Sequence, residues 1–180
     1  MKNNKGFTLV ELLAMLVVLG ILMGVTIPNI TGILTQSKQN ALIEDANKMV
    51  DSAKIKVATR KTGLNKIPKL ENNECAVFTL DYLNDNEDIG KGPNDGVYLD
   101  HDSYVVLKKD VNKNKYYVRL VEEKDDKYSG IEEVDYEILE KEGRKQIKKI
   151  TTLKNLTKDS QVEDVRTAIT TQCSSVKFYK

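Results

Sequence analysis

The sequence predicts an α+β protein in which one long N-terminal α-helix packs on a small antiparallel β-sheet. Three observations lead to this class. Residues 7–30 are largely apolar, and their only ionisable residue is Glu11. The apolar residues that follow recur every three to four positions up to about residue 60. Beyond residue 70, short segments are rich in β-branched and aromatic residues, as strands are.

The apolar segment is long enough to cross a membrane. At about 1.5 Å of rise per residue, a helix over residues 7–30 reaches roughly 36 Å. Lys2 and Lys5 precede it, which predicts an N-terminus on the cytoplasmic side. A carboxylate in such a helix costs about 2.5 kcal/mol or more, so Glu11 is expected to have a partner. A secretory signal peptide fits poorly, because the apolar run is too long and no small-x-small cleavage pattern follows it. An ordinary signal anchor leaves Glu11 unexplained.

The stretch "KGFTLVELLAMLVVLG" at residues 5–20 resembles the N-terminal signature of type IV pilins and pseudopilins. In that signature a short basic leader ends in Gly and is followed by an aromatic residue, Thr, two aliphatic residues and Glu. The resemblance implies that prepilin peptidase removes residues 1–6 by cutting after Gly6, and that the new amine of Phe7 is methylated. It also implies that Glu11 neutralises the amine of a neighbouring subunit in a fibre, and that the fold is pilin-like.

Gly20, Gly24 and Pro28 lie four residues apart and therefore share one face of the predicted helix. Each weakens the helix, because glycine costs about 1 kcal/mol relative to alanine and proline removes a backbone donor. In pilins with a Gly and a Pro at the positions matching Gly20 and Pro28, this segment can lose helical structure in the fibre. We expect a kink or local melting between Gly20 and Pro28; ordinary helix packing with a proline kink is the alternative.

Residues 31–60 are expected to continue the helix in amphipathic form, until Gly63 and Pro68 stop it. Residues 61–180 then form one small domain outside the membrane, whose sheet covers the apolar stripe of the helix. Residues 75–80 predict either a strand or a helical turn. Residues 104–108 and 116–122 predict a hairpin around "KDVNKN", and the alternation at residues 133–139 predicts a third strand.

Cys75 and Cys173 are the two cysteines, and they lie in the part predicted to be outside, where disulfides survive. A bond between them closes a loop of about 100 residues and stabilises by at most roughly 4 to 5 kcal/mol in the chain-entropy model. Two buried free thiols are the alternative. Pilins often link their C-terminal region by a disulfide, although without a fixed spacing.

A basic patch is predicted near the C-terminus, in a stretch that holds no acidic residue. Its cations are Arg144, Lys145, Lys148 and Lys149, followed by Lys154 and Lys158. Three interpretations remain open: a solvated face, a contact with acids of a neighbouring subunit, or binding of a polyanion. Because 28 basic and 27 acidic residues nearly cancel over the whole chain, nucleic acid stays unsupported as a partner. Residues 160–173 predict a short helix.

The sequence indicates no catalytic site, metal or cofactor. The single histidine, His101, lies between two aspartates in a charged loop, and the cysteines form no CxxC pair. A calcium loop starting at Asn84 is unsupported, because Ile89 occupies the position where such a loop needs glycine. The protein is therefore predicted to be a substrate of processing enzymes and not an enzyme itself.

The resemblance implies a structural subunit of a type IV pilus that serves adhesion, aggregation or twitching motility. The alternative is a pseudopilin of a type II secretion or competence (DNA-uptake) pseudopilus. The implied partners are other pilin subunits, prepilin peptidase, and the inner-membrane assembly platform with its ATPase. The subunit is expected to be a single-pass protein of the cytoplasmic membrane before assembly, and part of an extracellular fibre afterwards.

Overall fold

The computed structural model describes residues 7–59, 69–84, 89–153 and 172–179, without the side chains of residues 24–31. Its first element is helix α1, Leu9–Ala58, so the long N-terminal helix predicted from the sequence is confirmed. The chain divides into two compact units, Met1–Lys38 and Gln39–Lys180, and α1 contributes residues to both. The predicted short helix at residues 160–173 lies almost entirely outside the described residues.

The second unit holds the strands and two short helices. The strands are β1 Glu74–Thr79, β2 Val97–Tyr98, β3 Tyr104–Lys109, β4 Asn114–Lys124, β5 Lys127–Asp135, β6 Ile147–Lys149 and β7 Ser175–Tyr179. The helices are α2 Leu80–Leu83 and α3 Tyr136–Glu142, and a 3-10 turn spans Gly143–Gln146. One sheet contains all seven strands in the order β6-β5-β4-β3-β1-β7, with β2 paired to β4. The class is α+β, as predicted.

The sheet is mixed, which corrects the expectation of a purely antiparallel sheet. β1 pairs with β7 in parallel, whereas the other pairings are antiparallel. β1 and β7 are not consecutive in the chain, because the other five strands lie between them in sequence. Local patterns carry no information about such a pairing, because its two strands are about a hundred residues apart.

Two hairpins build the centre of the sheet. The predicted hairpin of β3 and β4 is confirmed, with Tyr104 opposite Arg119 and a turn closed by the Asp110 N–H donating to the Lys113 carbonyl at 3.0 Å. The next hairpin, of β4 and β5, turns at Asp125 and Asp126, whose φ angles are 51° and 57°. Two consecutive left-handed residues are typical of a type I′ turn, which matches the twist of the flanking strands.

The third predicted strand, at residues 133–139, is wrong in its bounds. β5 ends at Asp135, and Tyr136–Glu142 forms α3. Asp135 starts the helix because its carboxylate accepts from the Glu137 N–H at 2.9 Å, which satisfies one of the unpaired first-turn donors. Leu139 is fully buried whereas Ile138 is 43% exposed, so the apolar residues follow a helical and not an alternating pattern.

The apolar stripe in the second half of α1 forms the core with one face of the sheet. From the helix come Leu42, Ala46, Met49, Val50, Ala53 and Val57, and from the sheet Ala76, Phe78, Val105, Leu107, Val118, Leu120 and Ile131. The opposite face carries a smaller buried cluster of Cys75, Val77, Tyr104 and Val106. The predicted packing of the sheet on the amphipathic part of the helix is therefore confirmed.

Candidate assembly site at the start of the long helix

The first half of α1 exposes its apolar side chains on all sides. Every large hydrophobic residue from Phe7 to Met23 is between 49% and 81% exposed. A contiguous apolar surface of this extent marks a site that lipid or another protein covers. The segment also carries one carboxylate, Glu11, which makes its first turn the only charged part of the described apolar region.

Thr8 and Glu11 form a capping box at the helix start. The Thr8 carbonyl accepts from the Leu12 N–H at 3.1 Å, which makes Thr8 the N-cap residue. The Thr8 hydroxyl oxygen accepts from the Glu11 N–H at 3.3 Å, and one oxygen of Glu11, Oε2, accepts from the Thr8 N–H at 2.8 Å. The same Oε2 also accepts from the Thr8 hydroxyl at 2.8 Å. Sequence reasoning predicted only a partner in another subunit for Glu11, although the T-x-x-E spacing is itself a signal for this local capping box.

The capping box uses only half of the Glu11 carboxylate. Among the described residues, none donates to Oε1 of Glu11 and no cation forms an ion pair with it. A carboxylate has about four acceptor positions, so Oε1 can bind a further donor while Oε2 keeps its bonds to Thr8. Phe7 directly precedes Thr8 and is 75% exposed. Cleavage after Gly6 would turn the backbone nitrogen of Phe7 into the new N-terminal amine. Gly6 itself lies before the first described residue.

α1 remains a single helix through Gly20, Gly24 and Pro28. A Cβ atom at Gly20 would meet no atom within 4 Å, so packing within the chain does not require a glycine there. The kink or melting between Gly20 and Pro28 stays a prediction.

Cys75 and Cys173 are joined by a disulfide, with Cα atoms 5.9 Å apart. The bond lies beside the β1–β7 pairing, where Cys75 is opposite Val176. It therefore joins the last strand of the chain to the first strand of the sheet.

Glu74 adds a polar connection between the same two strands. The Ser175 hydroxyl donates to it at 2.8 Å and Lys177 Nζ lies 3.1 Å from its other oxygen. The backbone N–H of Glu71, then Ser175 and Lys177, stabilise the charged form and lower the pKa of Glu74 to about 2.

Four members of the predicted basic patch lie in the described part of the chain. Arg144 and Lys145 lie on the 3-10 turn, and Lys148 and Lys149 lie on the edge strand β6; all four are exposed. Lys154 and Lys158 fall outside the described residues. The four cations therefore lie at the edge strand of the sheet and on the turn before it, with Lys148 and Lys149 on opposite faces of β6.

Sequence reasoning missed a buried carboxylate, Glu122, which is 1% exposed. Its Oε1 accepts from the backbone N–H groups of Asn94 at 2.9 Å and Gly96 at 3.1 Å, and its Oε2 accepts from the Asn94 side-chain amide at 2.6 Å. The residue holds the loop between α2 and β2 against β4. An acidic residue in a strand gives no sequence signal for this role, because the loop comes from a distant part of the chain.

The residues considered for catalysis or metal binding remain apart. His101 is exposed. The side-chain amide of Asn84 donates to the Ile89 carbonyl, and its oxygen accepts from the Ile89 N–H, both at 2.9 Å. Within the described ranges, no group of three or more His, Cys, Asp or Glu side chains is placed to hold a metal ion.

Comparison with known proteins finds a match at the N-terminus of the chain. Residues 1–27 match the model described as the prokaryotic N-terminal methylation motif, which is the class III signal peptide of type IV pilins and pseudopilins. The motif marks pilin-like structural subunits and not enzymes, and it implies a membrane-anchored subunit that later joins an extracellular fibre. Searches of curated proteins and of solved structures return no match. In the part of the chain that the structure describes, no helix meets the length and hydropathy that a membrane span requires.

Proposed function

We propose that this chain is a structural subunit of a type IV pilus. Prepilin peptidase removes residues 1–6, the amine of Phe7 is methylated, and residues 7–30 hold the subunit in the cytoplasmic membrane with its N-terminus inside. Residues 31–60 continue the helix, and residues 61–180 form the domain outside. The assembly platform and its ATPase then move the subunit into a fibre that serves adhesion, aggregation or twitching motility.

The observation that carries this proposal is the exposed apolar segment from Phe7 to Met23, which lies within the methylation motif matched at residues 1–27. Burying one large aliphatic side chain gains about 1.5 to 3 kcal/mol, and this segment exposes thirteen large hydrophobic residues from Phe7 to Met23. Lipid covers such a surface before assembly, and the helices of neighbouring subunits cover it in a fibre. The same surface thus supports both the membrane anchor and the polymer.

Glu11 supports polymerisation through its free oxygen. Oε2 is held by Thr8, which fixes the carboxylate at the helix start, and Oε1 remains open to the Phe7 amine of a neighbouring subunit. A charge pair in an apolar bundle is stronger than one in water, because the effective dielectric constant is lower. An unpaired carboxylate in the same bundle is strongly unfavourable, so the pair selects one axial register between subunits.

The test is mass spectrometry of the N-terminal peptide from material sheared off native cells, compared with the membrane fraction. A peptide that begins at methylated Phe7 and is abundant in the sheared fraction is the expected result. A Gly6→Leu variant serves as the control and should keep its leader, because the motif places glycine at the cleavage site. An unprocessed start at Met1 or Lys2 in every fraction of the unaltered protein would overturn the proposal.

The same measurement separates the pilus from the second candidate. If the processed peptide is confined to the membrane fraction, the chain is instead a pseudopilin of a secretion or competence pseudopilus, or a minor priming subunit. Both candidates use the same N-terminal motif, so the fraction in which the peptide appears decides between them.

A further inference from the structure

The two cysteines of the disulfide differ in their exposure to solvent. Cys75 is 0% exposed and belongs to the smaller buried cluster on the second face of the sheet. Cys173 is half-buried, and its two neighbours in the chain, Gln172 and Ser174, are exposed. A reagent in solution can therefore approach the bond from the side of Cys173, whereas it reaches Cys75 only when the domain opens.

The two cysteines also differ in their place in the sheet. Cys75 lies in β1, an inner strand, where it is opposite Lys108 on one side and Val176 on the other. Cys173 lies outside the strands, two residues before β7, which is the last strand of the described sheet. A strand paired on one side opens at a lower cost than a strand paired on both, so the C-terminal cysteine becomes accessible first.

Polar contacts hold the two cysteines next to each other without the bond itself. The Ser174 N–H donates to the Asn73 carbonyl at 2.8 Å, and the Ser175 hydroxyl donates to the Glu74 carboxylate at 2.8 Å. The two acceptors directly precede the first cysteine in the chain, and the two donors directly follow the second. Two sulfur atoms held in this way react with each other at a high effective concentration.

We propose that an external disulfide forms this bond in two exchange steps, and that Cys173 is the residue that reacts first. In the first step the Cys173 thiolate attacks one sulfur of the donor disulfide, and the other half of the donor leaves as a thiol with the proton of Cys173. In the second step the Cys75 sulfur attacks Sγ of Cys173, and the remaining half of the donor leaves with the proton of Cys75. The two cysteines lose two electrons in total, and the donor is reduced to two thiols.

The same geometry determines how the bond is opened. An external thiol attacks Sγ of Cys173, and Cys75 leaves as the free thiol, because the reverse reaction passes through the same mixed disulfide. The inference rests on the proposed function only for where the reaction occurs, since the domain meets an oxidising donor once it lies outside the membrane.

The test uses the unaltered full chain in detergent, with its disulfide formed, and reduced glutathione as the attacking thiol. The reaction is stopped early with acid, and the peptides that contain the two cysteines are analysed by mass spectrometry. Glutathione should be found on Cys173 about tenfold or more often than on Cys75, because exchange requires access to the attacked sulfur. The same reaction in urea is the control, and there the two cysteines should carry similar amounts of glutathione.

Two single-cysteine variants test the forward direction. Cys75→Ala leaves Cys173 as the only thiol, and Cys173→Ala leaves Cys75. With oxidised glutathione, the adduct should form about tenfold or more faster on the Cys75→Ala chain, and this difference should disappear in urea. Near-ultraviolet circular dichroism establishes whether each variant is folded. If either is unfolded without the bond, the reaction of the unaltered chain decides alone.

Similar amounts of glutathione on the two cysteines of the folded, unaltered chain would overturn the inference, and so would a preference for Cys75. Neither result would affect the proposed function, which depends on processing after Gly6 and on the presence of the subunit in sheared fibre. An unprocessed N-terminus would instead overturn the proposed function and leave the order of the two exchange steps unaffected.

Discussion

Replacing Glu122 with leucine removes the acceptor that holds the loop between α2 and β2. Three donors lose their partner: the backbone N–H groups of Asn94 and Gly96 and the side-chain amide of Asn94. Gly96 is buried and cannot recover a water molecule, so its N–H carries a cost of about 1 to 3 kcal/mol. Asn94 is half-buried and recovers part of its hydration. We expect a loss of about 3 kcal/mol in the free energy of unfolding.

The assay is urea unfolding of the full chain in detergent, followed by the near-ultraviolet circular dichroism of its tyrosines. Limited trypsin digestion at Lys91, which is exposed in the same loop, should also become faster because the loop opens before the whole domain unfolds. Glu123→Leu is the matched control. It makes the same chemical change at the next position, where the side chain has no hydrogen bond in the described structure, and should stay within about 0.5 kcal/mol. A Glu122→Leu protein within about 1 kcal/mol of the unaltered one would refute this reasoning.

Three further predictions concern the helix start and the β1–β7 pairing. Glu11→Ala and Glu11→Gln should leave leader cleavage intact and lower incorporation into sheared fibres. Thr8→Ala removes only a helix cap of about 1 kcal/mol and should lower incorporation less. A normal amount of fibre from Glu11→Gln would contradict the charge pair. Cys75→Ala with Cys173→Ala removes a bond that spans 98 positions and should lower the free energy of unfolding by up to about 4.7 kcal/mol. A decrease of less than about 1 kcal/mol, measured by urea unfolding, would contradict this prediction. Because the pKa of Glu74 is about 2 when folded and 4.5 ordinarily, its stabilising contribution is complete above about pH 5 and is lost as the pH falls towards 2. Melting temperatures between pH 6 and 2 should therefore fall more steeply for the unaltered protein than for Glu74→Gln, and equal slopes would exclude this role.

The elements that were predicted well are those whose signal lies within a short window of sequence. α1 follows from hydrophobicity with a period of three to four residues, and the β3–β4 hairpin follows from two β-rich runs around a polar turn. The methylation motif is likewise local, since all its residues lie near the N-terminus. The boundary between β5 and α3 was not predicted. The apolar residues Tyr136 and Ile138 alternate with polar ones as in a strand, although Asp135 is also a residue type that caps helices.

By itself the sequence determined the long helix, the α+β class, the hairpin and the N-terminal methylation motif, because periodicity, turn residues and a motif of fixed spacing need no distant contact. Only the tertiary structure decided the parallel pairing of β1 with β7 and the buried position of Glu122. Each of these depends on segments that are far apart in the chain and are brought together, or kept apart, by the order of strands in the sheet.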